Sequence, residues 1–433
     1  MQQRIDIVSL GCSKNLVDSE FLIKQLENAG FKVFHDAENP VGKIVIINTC
    51  GFIGDAKEES INLILAFAQK KQQKKINKLL VMGCLSQRYK DELQAEIPEV
   101  DKFYGKFEFN KIVEDLGKCY NENLRLHRTL TTNHFAYVKI AEGCNQACSY
   151  CAIPIITGRH KSRPIEEIEQ EIKLLTQKGI KEFQLIAQDL TFYGKDLYGK
   201  KRLADLIARL SDIKGVEWLR LHYAYPTAFP YEILPLIRER ENVCNYLDIA
   251  LQHISNNILQ LMRRKITSEQ TYELIERIRT EVPNITLRTT LLVGHPNETE
   301  KDFAELIEFV NKVKFERLGV FAYSHEDGTF AFKHYQDNVP PEVKQQRVEV
   351  LMEEQRLISA EKNAQKVGQT LKVIIDNKLA NYFIGRTEFD SPEVDGEVYI
   401  EKVAQNRKLQ IGDFCKVKVM KSDDYDLFGE VVE

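Results

Sequence analysis

Three cysteines fall within one stretch of eight residues, at Cys144, Cys148 and Cys151. A cubane iron-sulfur cluster takes four ligands, so three thiolates from one short loop leave one iron free to bind a molecule that is not protein. Metal sites do chemistry at such open positions, as a catalytic zinc does. The spacing therefore indicates a reactive iron-sulfur cluster.

Closely spaced cysteines are also found in structural zinc sites, in disulfides and among packed small side chains. Zinc sites usually join two C-x-x-C half-sites or add histidines at a set spacing, and no such fourth ligand follows Cys151 at the usual distance. The opening MQQRIDIVSL lacks the basic and apolar regions of a secretion signal, so we do not expect an oxidising compartment. We favour the cluster over zinc, and both over packing.

The composition is that of a soluble globular protein. Its 433 residues, 43% hydrophobic and 29% charged, are enough for roughly two to four domains. No apolar run approaches the ~18 residues that span a bilayer, so we expect a cytoplasmic protein, neither membrane-bound nor secreted. A net charge of -4 argues against a nucleic-acid coat protein, and nine cysteines in the cytoplasm favour metal or redox chemistry.

A second group of three cysteines follows predicted strands in the first part of the chain. From residue 4 to 118 short apolar runs alternate with amphipathic stretches, which predicts an α/β fold with a doubly wound parallel sheet. Cys12, Cys50 and Cys84 each come directly after a predicted strand, in VSLGC, VIINTC and VMGC. Parallel strands all end at one edge of their sheet, so the three thiols should converge there. Three buried thiols that end strands by chance are improbable.

The rest of the chain predicts a barrel followed by a smaller all-β unit. Six strand and helix units from 134 to 335 predict a parallel barrel, complete or open, with its active site at the carboxyl ends of the strands. The Cys144 loop follows the first of these strands. A charged helix begins after Pro340 and Pro341, and alternating strands from 367 onward predict a small antiparallel barrel. The predicted domains are 3–120, 130–361 and 364–433, with a linker at 119–133.

Polar residues end the other predicted barrel strands, where they could hold a ligand of the open iron. A structural hydrogen bond or a helix cap explains each one equally well, and a simple turn explains a glycine; only their shared placement favours a binding role. The predicted pocket residues are Gln188, Gln252, His253 and Gly294, with Asp189, His222, Tyr223 and His295 beside them.

At this point the motifs carry a family resemblance over nearly the whole chain. The loop at Cys144, Cys148 and Cys151 resembles the radical S-adenosylmethionine (SAM) loop, and the all-β tail is similar to a TRAM module. Together with the first cysteine group they resemble the methylthiotransferases. The strings VSLGCSKNLVDSE, YVKIAEGCNQACSYCAIP, IAQDLTFYG, LQHIS and IGRTEFDSPEVDG are most similar to the RimO branch, which modifies an aspartate of the small-subunit ribosomal protein numbered twelve.

The resemblance implies two 4Fe-4S clusters with different roles. The cluster on Cys144, Cys148 and Cys151 would bind SAM in the predicted pocket and cleave it to a radical that takes a hydrogen from the β-carbon of the aspartate. An auxiliary cluster on the first cysteine group would deliver sulfur, and a second SAM would supply the methyl group. The implied partners are the ribosomal protein, free or in the ribosome, a one-electron donor such as flavodoxin or ferredoxin, and a sulfur donor.

Two positions depart from the family pattern. The string after the fifth barrel strand reads GHPNET where GFPGET is usual, and asparagine at 297 tolerates a left-handed backbone better than most residues. Ala250 stands where proline is expected.

Two alternative functions remain open. The tRNA-modifying branch of the same family uses its TRAM module to hold a polyanion, but residues 363–433 carry ten Lys and Arg against thirteen Asp and Glu, a net charge of -3. That charge favours a basic protein partner, because binding to nucleic acid depends on cations that neutralise phosphate. A non-catalytic iron-sulfur binding or sensor protein would need no open coordination position.

Overall fold

The amino-terminal part of the chain forms a five-stranded parallel sheet, in a computed structural model that describes residues 3–37, 40–402 and 408–432. Its strands are β1 (Arg4–Ser9), β2 (Lys32–His35), β3 (Ile44–Thr49), β4 (Lys78–Gly83) and β5 (Lys102–Phe103). Its helices are α1 (Ser13–Asn28), α2 (Gly54–Gln72), α3 (Cys84–Glu96) and α4 (Phe109–Asp115). The strands lie in the order β2-β1-β3-β4-β5.

Alternate residues of β3 pack on opposite faces of this sheet. Ile44 and Ile46 join a core formed with α1 and α4, whereas Val45 and Ile47 join a core formed with α2 and α3. All residues of β3 are buried, as expected for a parallel strand that is covered on both faces. The predicted doubly wound sheet is confirmed.

The middle of the chain forms a six-stranded parallel sheet from six successive strand and helix units. Its strands are β6 (Phe135–Lys139), β9 (Glu182–Ile186), β10 (Trp218–Ala224), β11 (Val243–Ile249), β12 (Thr286–Val293) and β13 (Arg317–Ala322), and a two-stranded hairpin of β7 (Ala141–Glu142) and β8 (Lys161–Ser162) follows β6. The helices are α5 (Ile153–Thr157), α6 (Ile165–Gln177), α7 (Lys195–Tyr198), α8 (Leu203–Ser211), α9 (Leu234–Glu239), α10 (Asn256–Leu261), α11 (Ser268–Glu281), α12 (Glu300–Val313) and α13 (Phe330–His334).

The order of these strands is β13-β12-β11-β10-β9-β6, so the six strands lie side by side in the order in which they occur in the chain. In the described residues β6 and β13 do not pair with each other, which makes the barrel an open one. Thr267 and Thr299 each close a capping box that fixes the start of α11 or α12. The predicted partial barrel is confirmed.

A long helix, α14 (Pro341–Ala364), leads to a closed five-stranded barrel. The strands of this barrel are β14 (Thr370–Lys378), β15 (Tyr382–Thr387), β16 (Val398–Glu401), β17 (Phe414–Ser422) and β18 (Leu427–Val431). Four pairings are antiparallel, as predicted, and the pairing of β16 with β18 is parallel. A closed ring with an odd number of strands cannot alternate direction throughout, so one parallel pair is required. Within the described ranges no helix is both long and apolar enough to cross a membrane.

Buried ion pairs hold these three parts of the chain together. Arg128, in the segment between the first sheet and the barrel, is 4% exposed and pairs with Glu20 of α1 and with Glu171 of α6. The end of β15 and the segment that joins it to β16 pack against the six-stranded open barrel in the same way. The arginine and carboxylate pairs at that contact are Arg386 with Glu182, Arg317 with Asp390, and Arg288 with Asp395.

Candidate active site at two cysteine groups

The structure brings Cys12, Cys50 and Cys84 together at the carboxyl edge of the first sheet. The strands before them, β1, β3 and β4, are neighbours in that sheet. Glycines beside the cysteines let the three turns approach closely: a Cβ atom added to Gly11 would lie 2.8 Å from the Cβ of Cys50, and one added to Gly51 would lie 2.5 Å from the backbone of Leu85.

Positive charge lies next to these thiols. Burial raises the pKa of Cys50, and raises that of Cys84 to about 12. Desolvation acts to raise the pKa of Cys12, but the positive charge of Lys14, a hydrogen bond from the backbone N–H of Asn15 and the charge of Lys106 hold it below its ordinary value. Lys106 Nζ lies 3.9 Å from Cys84 Sγ. These cations favour thiolates, the form of cysteine that binds metal.

The donor set at this edge fits an iron-sulfur cluster. Three sulfur ligands suit iron-sulfur clusters, and each thiolate of a cubane binds a different iron. Over residues 3–37, 40–402 and 408–432 no three thiol, imidazole or carboxylate side chains are grouped closely enough to hold one metal ion. Thiolates that each bind a separate iron do not need that close grouping.

Backbone contacts hold the second cysteine group, Cys144, Cys148 and Cys151, in the loop after β7. Gly143 has a φ of 76°, and a side chain there would overlap the carbonyl group of Arg159. The N–H of Cys144 donates to Gly158 O over 3.1 Å, and that of Ser149 donates to Met262 O over 3.0 Å. The loop is therefore anchored at both of its ends.

Arg264 is the cation of the second cysteine group. Its Nη1 lies 3.4 Å from Cys148 Sγ, its guanidinium carbon lies 4.1 Å from the ring centroid of Tyr225, and its Nη2 donates to the carbonyl of Ala250. Burial raises the pKa of Cys144 to about 12 and also raises that of Cys151. The contact at Ala250 uses only a backbone carbonyl, which proline also has, so the departure at this position leaves the contact intact.

The two cysteine groups are neighbours. Cys84 packs in one buried cluster with Ala152 and Ile156, and Ala152 directly follows Cys151 in the chain. This contact joins the start of α3 in the first sheet to α5 in the barrel. A molecule placed between the two groups would therefore touch both domains.

A line of ionic side chains also connects the two groups. Lys106, beside Cys84, lies 3.4 Å from Asp18 Oδ2, and Lys139 Nζ lies 2.5 Å from the other oxygen of that carboxylate. Lys139 also pairs with Glu142, whose Oε2 accepts a 2.9 Å hydrogen bond from Gln188. Glu142 is two residues before Cys144, so this line spans the distance from one group to the other.

The four predicted pocket residues lie at the strand ends but differ in their surroundings. Gln188 keeps a buried side-chain oxygen, Oε1, without a hydrogen-bond partner in the described residues, as a ligand-binding group would. Gln252 has a φ of 73° and bridges by its backbone to β12. His253 is fully buried, and its Nδ1 accepts a 3.0 Å hydrogen bond from Ser255. Gly294, with a φ of 74°, leaves room for the side chain of Lys344.

The unusual loop after β12 keeps the shape expected of it. Asn297 has a φ of 67°, the left-handed conformation that the sequence predicts for it, and its N–H donates to Asn338 Oδ1 over 2.8 Å. His295 is buried, and its Nε2 lies 3.3 Å from the hydroxyl of Ser149 in the second cysteine loop. Burial lowers the pKa of His295 to about 4, so the ring is neutral at pH 7.

Three family models match the chain in the order of its three folded parts. They are "Uncharacterized protein family UPF0004" over residues 4–105, the "Radical SAM superfamily" over 138–310 and the "TRAM domain" over 367–432. The ribosomal protein uS12 methylthiotransferase RimO of Bacteroides fragilis (strain YCH46) is 62% identical over 432 residues, 100% of both chains. The chain belongs to the RimO family. The RimO of Bacteroides thetaiotaomicron is 60% identical over 432 residues, 100% of this chain and 99% of the relative.

Membership of the RimO family makes the chain a radical SAM methylthiotransferase that uses iron-sulfur chemistry and SAM, and the predicted family and reaction class are confirmed. Among solved structures, the radical S-adenosylmethionine methyltransferase TsrM of Kitasatospora setae aligns with a TM-score of 0.53 at 15% identity. The alignment covers 74% of this chain and 75% of that one. At that identity the likeness shows a shared fold alone.

Three cations of this RimO-family site are not predicted from the sequence. Lys14, Lys106 and Arg264 each place a cation near a cysteine group, but only Lys14 is close to a cysteine in sequence. The SKN string after Cys12 is the one feature that could have drawn attention to it. Lys106 and Arg264 become visible only when the turns between strands are folded.

Proposed function

We propose that the chain adds a methylthio group to the β-carbon of an aspartate in ribosomal protein uS12, with a 4Fe-4S cluster on each cysteine group. The observation that supports this most is the contact between the two groups, where Cys84 packs against the residue that follows Cys151. A substrate side chain held between them would reach a radical source and a sulfur source without leaving one site. The named activity of the full-length relatives supports the same substrate.

The proposed division of labour follows the three predicted domains. When bound, the clusters and SAM supply the hydrogen-abstracting radical, the sulfur atom and the methyl group. Domain 3–120 would hold the auxiliary cluster on Cys12, Cys50 and Cys84. Domain 130–361 would hold the SAM-cleaving cluster on its single loop, and domain 364–433 would dock the ribosomal protein. A one-electron donor such as flavodoxin or ferredoxin and a sulfur donor would complete the reaction.

Side chains of the barrel would hold SAM beside the second cysteine group. Gln188, Gln252, His253 and Gly294 stay the proposed pocket, and Gln188 is the strongest of them because its buried Oε1 has no partner in the described part of the chain. The Nε2 of the same side chain is fixed by Glu142, two residues before Cys144. Gln188 is therefore held in place for a polar group of a ligand next to that loop.

The acidity of the third domain supports a basic protein substrate less strongly than its charge count suggests. Asp376, Asp390 and Asp395 all pair with arginines, and for Asp390 and Asp395 these arginines belong to the open barrel of the middle domain. These three carboxylates are therefore committed within the protein. The choice of uS12 over tRNA rests chiefly on the relatives.

The test is a direct comparison of substrates. Anaerobically reconstituted protein is incubated with SAM, dithionite and either uS12 or tRNA, and each substrate is then weighed by mass spectrometry. We expect uS12 to gain one CH2S unit on an aspartate, and the Cys144→Ala variant to give none. The exposed Cys119 lies outside both groups, so Cys119→Ala is the matched control and should keep full activity. A gain on tRNA alone would refute the proposal.

A further inference from the structure

Lys14 is a buried lysine without a carboxylate partner. It lies in the first turn of α1, two residues after Cys12, and is only 8% exposed. Across the described ranges no carboxylate lies within 4.0 Å of its ammonium group, which instead stands 3.4 Å from the ring centroid of Tyr223 in the barrel. Buried lysines are nearly always paired with an anion. Lys14 therefore lies between the two domains with a charge that no carboxylate of the described residues neutralises.

Two other lysines, on the line of ionic side chains between the two cysteine groups, are paired with carboxylates. Lys106 pairs with Asp18, and Lys139 pairs with both Asp18 and Glu142. These two ammonium groups share the two carboxylates, and Lys14 is left without one. The first turn of α1 contains no acidic residue, so the amino end of this helix also favours an anion here.

Tyr223, whose ring contacts the Lys14 ammonium, has a strained backbone. Tyr223 has a φ of 65° inside β10, in the left-handed region that side-chain-bearing residues avoid. The pairing of β10 with β11 shifts register between Leu221 and Ala224, on either side of it, and its N–H donates to Asp248 over 3.2 Å. Strain of this kind persists where the surrounding structure enforces it, and it concentrates at functional sites.

We propose that the Lys14 ammonium binds the carboxylate of the aspartate that is modified. This inference rests on the proposed function, because it takes its anion from that substrate. The reacting β-carbon is bonded directly to the side-chain carboxyl carbon, so a cation that holds the carboxylate also sets the position of the β-carbon. Lys14 lies beside Cys12, where the sulfur source is proposed, and on the face of α1 that meets the barrel. Lys14 is thus a specificity-determining residue that selects a carboxylate.

The test crosses two proteins with two peptides. Fluorescence anisotropy measures binding of a labelled uS12 peptide, with aspartate or asparagine at the target position, to reconstituted protein with SAM but without reductant. For the wild type we expect the aspartate peptide to bind at least about tenfold more tightly, the effect of one charged hydrogen bond. In Lys14→Met, reconstituted to the iron content of the wild type, we expect the two peptides to bind alike. Lys14→Arg, which keeps the charge, should restore a preference for aspartate.

Lys312 provides the matched control, because it also lies over a tyrosine, with its Nζ 4.5 Å from the ring centroid of Tyr272, but on the exposed side of α12. Lys312→Met should keep the tenfold preference. A preference for aspartate that survives in Lys14→Met would refute the inference alone, as would an equal loss of affinity for both peptides together with loss of iron. A wild type that binds neither peptide would refute the proposed function as well.

Discussion

Replacement of Lys106 by methionine should weaken the first domain at the auxiliary cysteine group. The Lys106 side chain is 2% exposed, and its Nζ lies 3.4 Å from Asp18 Oδ2 and 3.9 Å from Cys84 Sγ. Burial acts to lower the pKa of this ammonium, but Asp18, Glu142 and the nearby thiols raise it above its ordinary value. Removal of one partner of a buried ion pair costs about 3–5 kcal/mol. Asp18 keeps Lys139 as a partner, so we expect the lower end, about 3 kcal/mol.

Lys102 is the matched control for this variant. It belongs to the same domain and pairs with Asp115, but the two side chains are 46% and 37% exposed. An exposed pair contributes about 0–1 kcal/mol, so Lys102→Met should unfold close to the wild type. Urea titration followed by circular dichroism gives the free energies, and hydrogen exchange of α1 locates the change. Equal midpoints for the Lys106→Met and Lys102→Met variants would refute the role assigned to Lys106.

Three further variants test other parts of the site. Gly83→Ala, where an added Cβ would lie 2.5 Å from the backbone oxygen of Thr49, should lower the iron content. Gly117→Ala, also at a positive φ but in open space, should not, and equal iron in both would contradict the packing argument. Burial lowers the pKa of His253 to about 3, so the folded protein keeps this ring neutral, and its stability falls as the pH drops below the pKa of the unfolded state, about 6.5. In urea titrations from pH 7.5 to 5.5 the wild type should lose about 1.4 kcal/mol more stability than His253→Gln, and parallel pH curves would contradict this. Arg264→Gln removes a positive charge 3.4 Å from Cys148 Sγ and should make the midpoint potential of that cluster more negative. A redox titration followed by electron paramagnetic resonance measures this potential, and a value equal to that of the wild type would contradict the role of Arg264.

The sequence predicts the strands that position the cysteines because each of these cysteines directly follows an apolar run of about six residues. Because parallel strands all end at one edge of their sheet, Cys12, Cys50 and Cys84 are predicted to lie together without any tertiary information. β2 and β5 are not predicted, since four and two residues are too few to stand out as a strand. Length therefore decides which elements a pattern can reveal.

The contacts between domains could not be predicted from the sequence. Lys14 meets Tyr223, and Asp18 meets Lys139, across long stretches of chain, and no periodicity relates such positions. The left-handed backbone of Tyr223 is also invisible in sequence, because tyrosine is typical of an ordinary strand. These contacts are seen only in the structure, because they depend on how two separately predicted domains pack.

The separation of roles between the two cysteine groups is tested most directly by one measurement on the Cys12→Ala, Cys50→Ala, Cys84→Ala triple variant. Liquid chromatography with mass spectrometry measures 5′-deoxyadenosine and modified uS12 in the same anaerobic reaction with SAM and dithionite. We predict that the triple variant still forms 5′-deoxyadenosine, holds about four irons per chain where the wild type holds about eight, and leaves uS12 unmodified. Loss of 5′-deoxyadenosine together with the modification, or uS12 modified as in the wild type, would contradict separate roles for the two groups.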